Sequence, residues 1–105
     1  MQIQVNTDKN ISGDEILAER VEEILNRVLS RFSGQITRLE VHLSDENSTS
    51  KSGGKDKRCL LEARVAGRDP TSANDVAETV AQSVTGAAHK MVSQLESELG
   101  KLAKH

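Results

Sequence analysis

The sequence predicts an α+β domain in which two helices cover one face of a mainly antiparallel sheet. Three segments alternate polar and apolar residues with the period of two that strands have, and two longer segments repeat apolar residues with the helical period. Each element therefore has one apolar face, and packing both helices on one side of the sheet buries all of these faces. The chain has 105 residues, which we expect to form a single domain over residues 1–105, because two cores would each be too small.

The first strand and the first helix are predicted within the first third of the chain. Residues 2–6 alternate and predict a short strand. Ser12 and Glu15 have the spacing of a capping box, which predicts that the helix begins there. Gly34 is a typical stop signal and predicts the helix end. The apolar residues at helical spacing between these signals are Ile16, Leu17, Val21, Ile24, Leu25, Val28, Leu29 and Phe32.

The middle of the chain predicts two more strands. Residues 35–45 alternate, and the alternation resumes at Lys57, with Cys59 among the inward-facing side chains. Between them, residues 47–56 (NSTSKSGGKD) contain no large apolar side chain, which predicts a flexible loop. The sheet face away from the helices is predicted to present polar and charged side chains, namely Gln2, Gln4, Arg38, Glu40, His42, Arg58, Glu62 and Arg64.

The last third predicts a long helix after a turn near residues 67–69. Residues 70–74 are compatible with a short edge strand, because proline is tolerated at the start or the edge of a strand. Asn74 or Asp75 is placed to cap a helix over residues 76–103. That helix would be roughly 42 Å long, so we expect its end to project beyond a small sheet. Gly86 inside it costs about 1 kcal/mol relative to alanine.

Composition excludes several classes of protein. A single Phe and the absence of Trp and Tyr argue against binding by aromatic stacking on exposed bases. The formal net charge is −2, so any basic surface must be local. One cysteine excludes a disulfide framework and a cysteine-based zinc site, and it fits a reducing compartment. The chain has neither a membrane-spanning run nor a signal-peptide pattern, so we expect a cytoplasmic protein without a membrane partner.

The sequence predicts no catalytic residues. The histidines, His42, His89 and His105, lie on separate elements without metal-ligand spacing, and no phosphate-binding or nucleophile motif is present. Cys59 is expected to be a small buried hydrophobe, because nothing basic is placed to lower its pKa. We therefore expect no enzyme, no metal, no cofactor and no small-molecule substrate.

Basic residues on the two helices form the candidate binding surface. On a helical wheel, Arg20, Arg27 and Arg31 fall within about 40° of one another, beside the apolar face. The last helix carries a second polar stripe, consisting of Lys90, Gln94 and Lys101. If the helices pack side by side, both stripes line a shared groove that offers cationic groups to phosphate. Ordinary helix pairing, such as Glu23 with Arg27, explains part of the same pattern.

Several local strings and the order of the elements resemble one known family. The first helix contains VEEILNRV (21–28) and then RF (31–32), and the following strand contains ITRLEVHL (36–43). The last helix contains KMVSQL (90–95). These strings are similar to motifs of the ribosome hibernation-promoting factors, which include the ribosome-associated inhibitor A proteins and were formerly called sigma-factor modulation proteins. The likeness extends over essentially the whole chain, and the chain resembles the short form of the family.

The resemblance implies a fold and a function. The fold is β-α-β-β-β-α, which makes residues 70–74 a fourth strand. The function is binding to the small ribosomal subunit and its ribosomal RNA near the decoding region, which inhibits translation and protects idle ribosomes without any chemistry. The family's RNA contacts carry over to Arg27 and Lys90 best, to Arg31 less directly, and to Arg20 only as a member of the same stripe.

Two departures from the family pattern leave an alternative open. Glu96 and Glu98 follow the QL pair where lysines are usual, and residues 80–81 are Val-Ala where an aromatic residue is usual. The acidic residues remove phosphate contacts and weaken the expected affinity for RNA. The alternative is a protein–protein interaction or regulatory module on the same fold, which predicts an exposed apolar patch around Leu60, or around Leu99 and Leu102.

Overall fold

The predicted order of elements is confirmed in the computed structural model of the chain. The structure describes residues 1–46 and 56–103, with the side chains of all of these except residues 100–103. Its elements are β1 (Gln2–Thr7), α1 (Glu15–Val28), a one-turn 3₁₀ helix (Ser30–Phe32), β2 (Ile36–Asp45), β3 (Lys57–Val65), β4 (Thr71–Ala77) and α2 (Val80–Ala103). The fold is therefore α+β with the order β-α-β-β-β-α. Residues 47–55 of the predicted flexible loop lie outside the described residues.

The four strands form one mainly antiparallel sheet in the order β1-β2-β3-β4. Strands β1 and β2 are parallel, and α1 makes the crossover connection that a parallel pair requires. The pairs β2–β3 and β3–β4 are antiparallel. Gly67 has a φ of 73° in the turn between β3 and β4, a backbone conformation that glycine adopts without strain.

Both helices pack on the same face of this sheet. Inward-facing side chains of the strands alternate with polar ones, and they meet the apolar stripes of α1 and α2 in one cluster. The most buried members are Val21, Leu25, Leu29, Leu39, Val41, Cys59, Leu61, Ala63, Val84, Ala87, Ala88, Met91 and Leu95, each 0% exposed. The core is therefore built from aliphatic residues, as the composition predicts, with Phe32 at its edge at 6% exposure.

The predicted boundaries of α1 are wrong at both ends. The helix begins at Glu15, and the N-cap is Asp14, whose Oδ1 accepts a hydrogen bond from the Leu17 amide at 2.9 Å. Aspartate caps as well as serine, and its charge also interacts favourably with the positive end of the helix dipole. The α-helix ends at Val28 rather than at Gly34. A 3₁₀ turn then brings Phe32 to the core.

The predicted start of α2 is also wrong. Asn74 and Asp75 do not cap this helix, because they belong to β4, where Asn74 is paired with Leu60 and Asp75 with Cys59. The helix begins at Val80, after Thr79 Oγ1 accepts a hydrogen bond from the Gln82 amide at 3.1 Å. Pairing with β3 overrides the local capping signal, because a complete row of strand hydrogen bonds outweighs one cap. No helix in the described part of the chain is long and apolar enough to span a bilayer.

Candidate nucleic-acid interface

A groove of about 370 Å³ separates the outer surfaces of α1 and α2. Three of its lining residues come from α1 and four from the first two turns of α2. They are Arg20, Ile24 and Arg27, together with Ala81, Gln82, Thr85 and Gly86. The floor is apolar and the rim on the α1 side is basic. This arrangement is what long arginine side chains favour, since their stems cover apolar surface while the guanidinium groups stay in water.

The helical repeat of α1 places the two arginines at this groove. Val21, Ile24 and Leu25 are buried and fix which side of α1 faces the core. Arg20 and Arg27 are seven residues apart, two turns of helix, so they lie on the same side of α1 at the border of that buried face. Both side chains are exposed.

Arg20 and Arg27 also lack an anionic partner in the part of the chain that the structure describes. Among the described residues, no carboxylate lies within ion-pairing distance of either guanidinium group, and the Glu23–Arg27 pair that helix spacing allows is not formed. Their hydrogen-bonding capacity therefore faces solvent. A planar guanidinium group in this state is suited to bidentate binding of phosphate oxygens.

Arg31 occupies a different position from the one that a continuous helix predicts. It lies in the 3₁₀ turn after the end of α1, where its guanidinium group sits 5.0 Å from the centroid of the Phe32 ring. Its Nη1 atom is 2.5 Å from Oε2 of Glu96 on α2. The helix ends at Val28, so the three-arginine stripe is broken and Arg31 does not line the groove.

Lys90 lies one helical turn after Gly86, and its side chain is directed toward β4. Its ammonium group donates to Oδ1 of Asp75 at 3.0 Å and to the carbonyl oxygen of Asn74 at 3.1 Å. Gln94 follows one turn later and is half-buried, and the side chain of Lys101 is outside the described residues. Lys90 is therefore not among the residues that line the groove, because its ammonium group is bound toward β4.

The contact between α2 and β4 explains the glycine inside this helix. A Cβ atom at Gly86 would lie only 1.9 Å from Oδ2 of Asp75. Glycine lets the Asp75 side chain sit against the helix backbone, where it also accepts from Lys90. Gly86 weakens the helix, but its missing side chain leaves the space that Asp75 of β4 occupies.

The sheet face away from the helices carries most of its charge in pairs. Its polar character is confirmed, and Nε of Arg38 lies 3.0 Å from Oε2 of Glu40. His42 Nε2 lies 3.6 Å from Oε1 of Glu40 and 3.4 Å from Oε1 of Glu62. Within the described residues, Glu40, His42 and Glu62 form a group whose ligand atoms lie within 4.8 Å of one another. The Arg38 guanidinium already provides positive charge at Glu40, and charge pairing accounts for the arrangement.

Cys59 is a core residue, as predicted. It is a free thiol with 0% exposure. Burial raises the pKa of Cys59 to about 12, with a further contribution from the negative charge of Asp75. The side chain is therefore a neutral thiol at neutral pH, which is the opposite of what a cysteine nucleophile needs.

Of the three residues expected in the apolar patch of a protein–protein module, the structure describes the side chains of Leu60 and Leu99. Leu60 on the open sheet face and Leu99 on α2 are both half-buried, and the side chain of Leu102 is outside the described residues. Ile16, near the start of α1, is the large hydrophobic side chain that is exposed in the described part of the chain, at 78%. Single exposed apolar residues are normal on soluble domains.

Comparison with known proteins assigns the chain to a family. The family model described as "Sigma 54 modulation protein / S30EA ribosomal protein" matches residues 3–103. The chain belongs to this family, which confirms the resemblance found in the sequence. A comparison with curated proteins finds no match.

Solved structures share the fold at low sequence identity. A ribosomal subunit interface protein from Coxiella burnetii is 19% identical, with a TM-score of 0.74, and the match covers 95% of this chain and 99% of that chain. The N-terminal domain of Protein Y from Thermus thermophilus is 18% identical, with a TM-score of 0.71 and coverage of 92% and 98%. At these identities, the likeness establishes the arrangement of helices and strands.

Proposed function

We propose that this protein binds the ribosome and inhibits translation, as a hibernation factor does. The proposed binding site is on the small subunit near the decoding region, and the proposed ligand is ribosomal RNA. The observation that carries this proposal is the pair of exposed arginines, Arg20 and Arg27, which line the groove and have no ion pair among the described residues. Membership of the S30EA family supports the choice of ribosome as partner.

The chemistry of the groove is suited to the phosphate backbone rather than to bases. Guanidinium groups bind phosphate oxygens independently of sequence, whereas single-stranded bases are commonly held by aromatic side chains. The chain has no Trp or Tyr, and its single Phe is buried at 6% exposure. Inhibition then follows from occupying a channel that messenger and transfer RNA need, so it requires no catalytic step, cofactor or metal.

The basic residues differ in how directly they can bind RNA phosphate. Arg20 and Arg27 have no ion pair within the described part of the chain, so they can bind phosphate directly. Arg31 and Lys90 begin in ion pairs with Glu96 and Asp75, so each must exchange a carboxylate for a phosphate before it contributes. Gln94 and Lys101 remain proposed contacts at the far end of α2.

Co-sedimentation with purified small subunits and with intact ribosomes tests the proposal. Binding is measured at about 50 mM and about 200 mM salt, since phosphate contacts make affinity fall steeply over this range. We expect one protein per small subunit at both concentrations, displaced by messenger RNA and initiator transfer RNA. Absence of binding at the lower concentration would contradict the proposal and direct the search to a protein partner.

A further inference from the structure

We propose that the Glu96 carboxylate acts as a built-in competitor of RNA phosphate at Arg31 and thereby sets the affinity of the RNA-binding surface. Arg31 Nη1 donates a charge-assisted hydrogen bond to Glu96 Oε2, and the two atoms are 2.5 Å apart. A carboxylate and a phosphate present similar anionic oxygens to a guanidinium group. This inference rests on the proposed function, because Arg31 is one of the RNA contacts proposed there.

The exposure of the pair makes the exchange reversible. The side chains of Arg31 and Glu96 are 62% and 47% exposed, so water screens their attraction and either partner can leave at little cost. The Phe32 ring, 5.0 Å from the guanidinium carbon of Arg31, contacts the cation independently of Glu96. Arg31 therefore stays oriented when a phosphate displaces the carboxylate.

The other ion pair of α2 is held more firmly. Lys90 also donates to the carbonyl oxygen of Asn74, and the Asp75 side chain is packed against Gly86. The Asp75 side chain is only 27% exposed. We therefore assign the releasable competition to Glu96 and Arg31, and not to Asp75 and Lys90.

Glu98 provides a matched control on the same helix. It carries the same charge two residues further on, but its Oε2 accepts a hydrogen bond from Thr71 Oγ1 at 3.1 Å instead of binding a described basic side chain. Replacing Glu96 or Glu98 by glutamine changes the net charge equally. A difference between the two variants then reports the Arg31 contact rather than total charge.

The experiment measures binding of a fluorescently labelled oligouridylate and of purified small ribosomal subunits, at several salt concentrations. The variants are Glu96→Gln, Glu98→Gln, Arg31→Gln and the Arg31→Gln/Glu96→Gln double variant, each checked for native circular dichroism. Glu96→Gln should bind RNA roughly two- to fivefold more tightly at low salt, which corresponds to release of an exposed ion pair. The slope of log affinity against log salt should steepen by about one unit, as one more phosphate contact requires.

Two controls separate the Arg31 contact from total charge, and the oligouridylate measurement separates RNA binding from ribosome binding. Glu98→Gln should give a clearly smaller gain, and the gain from Glu96→Gln should disappear in the Arg31→Gln background. Equal gains from the two glutamates, a gain that persists without Arg31, or no gain at all would overturn the competition. A gain on oligouridylate by a protein that fails to sediment with ribosomes would contradict the proposed function and leave the competition established.

Discussion

The groove between the helices and the open face of the sheet both carry arginines, but they differ in how those charges are paired. On the sheet face, Arg38 lies beside Glu40, and Arg58 lies 3.4 Å from Glu46. In the groove, Arg20 and Arg27 have no such partner within the described residues. The two groove arginines can therefore bind an anion directly, whereas Arg38 and Arg58 must first leave a carboxylate.

The geometry of the elements explains the difference. Strands place neighbouring side chains of the same face close together, so opposite charges there meet readily. Helix α1 instead places Arg20 and Arg27 beside an apolar groove floor, which residues such as Ile24 and Ala81 form. Arg64 is the exception on the sheet face, because it is exposed and has no ion pair within the described residues. It offers an internal control for the groove.

The largest effect is expected from the core that supports both surfaces. Leu25→Ala removes a side chain with 0% exposure and should lower the free energy of unfolding by about 2–5 kcal/mol. The matched change Ile16→Ala, at 78% exposure on the same helix, should cost less than about 0.5 kcal/mol. Urea unfolding followed by far-UV circular dichroism measures both. Similar losses would show that α1 does not pack as described.

The second prediction concerns how the buried Cys59 thiol makes the stability of the protein depend on pH. The pKa of Cys59 is raised from its ordinary value of 9.0 to about 12, so the folded state favours the protonated thiol. The associated stability is fully present below pH 9.0 and is lost as the pH rises toward 12. Wild-type protein should lose more stability than Cys59→Ala between pH 8 and 11 in thermal unfolding. An equal loss in both proteins would contradict the burial of this thiol.

A smaller effect on the free energy of unfolding is expected where Gly86 of α2 contacts Asp75 of β4. Gly86→Ala raises helix propensity by about 1 kcal/mol, but the added Cβ collides with Asp75. We expect no net stabilisation in the native sequence and a gain in the Asp75→Ala background, with a coupling of about 0.5–3 kcal/mol between the two sites. Chemical unfolding of the four proteins gives the coupling. Strict additivity would mean that Asp75 does not contact the helix.

The sequence predicts the elements well because their periodicity is strong, and it misplaces boundaries where tertiary contacts compete with local signals. Asn74 and Asp75 are good helix caps, yet strand pairing with Leu60 and Cys59 places them in β4. Gly34 is a good helix stop, yet the helix ends six residues earlier, at Val28. Local sequence signals indicate several possible helix boundaries, and tertiary packing determines which of them is used.

The candidate site is predictable only in part for the same reason. Arg20 and Arg27 follow from the helical wheel of α1, which depends on local periodicity alone. The groove partners Gln82 and Thr85 and the displacement of Lys90 to the β4 flank depend on how α2 is rotated on the sheet. That rotation is set by core contacts of residues such as Val84 and Met91, which the spacing of charges does not reveal.

The most direct test of the central claim compares one arginine from each surface. Arg27→Glu and Arg64→Glu make the same change in net charge at two exposed arginines that lack an ion pair among the described residues. Co-sedimentation with small ribosomal subunits at about 50 mM salt should show Arg27→Glu weakened by about tenfold or more and Arg64→Glu within about twofold of wild type. Equal weakening of the two variants, or unchanged binding by Arg27→Glu, would contradict the assignment of the groove as the RNA-binding surface.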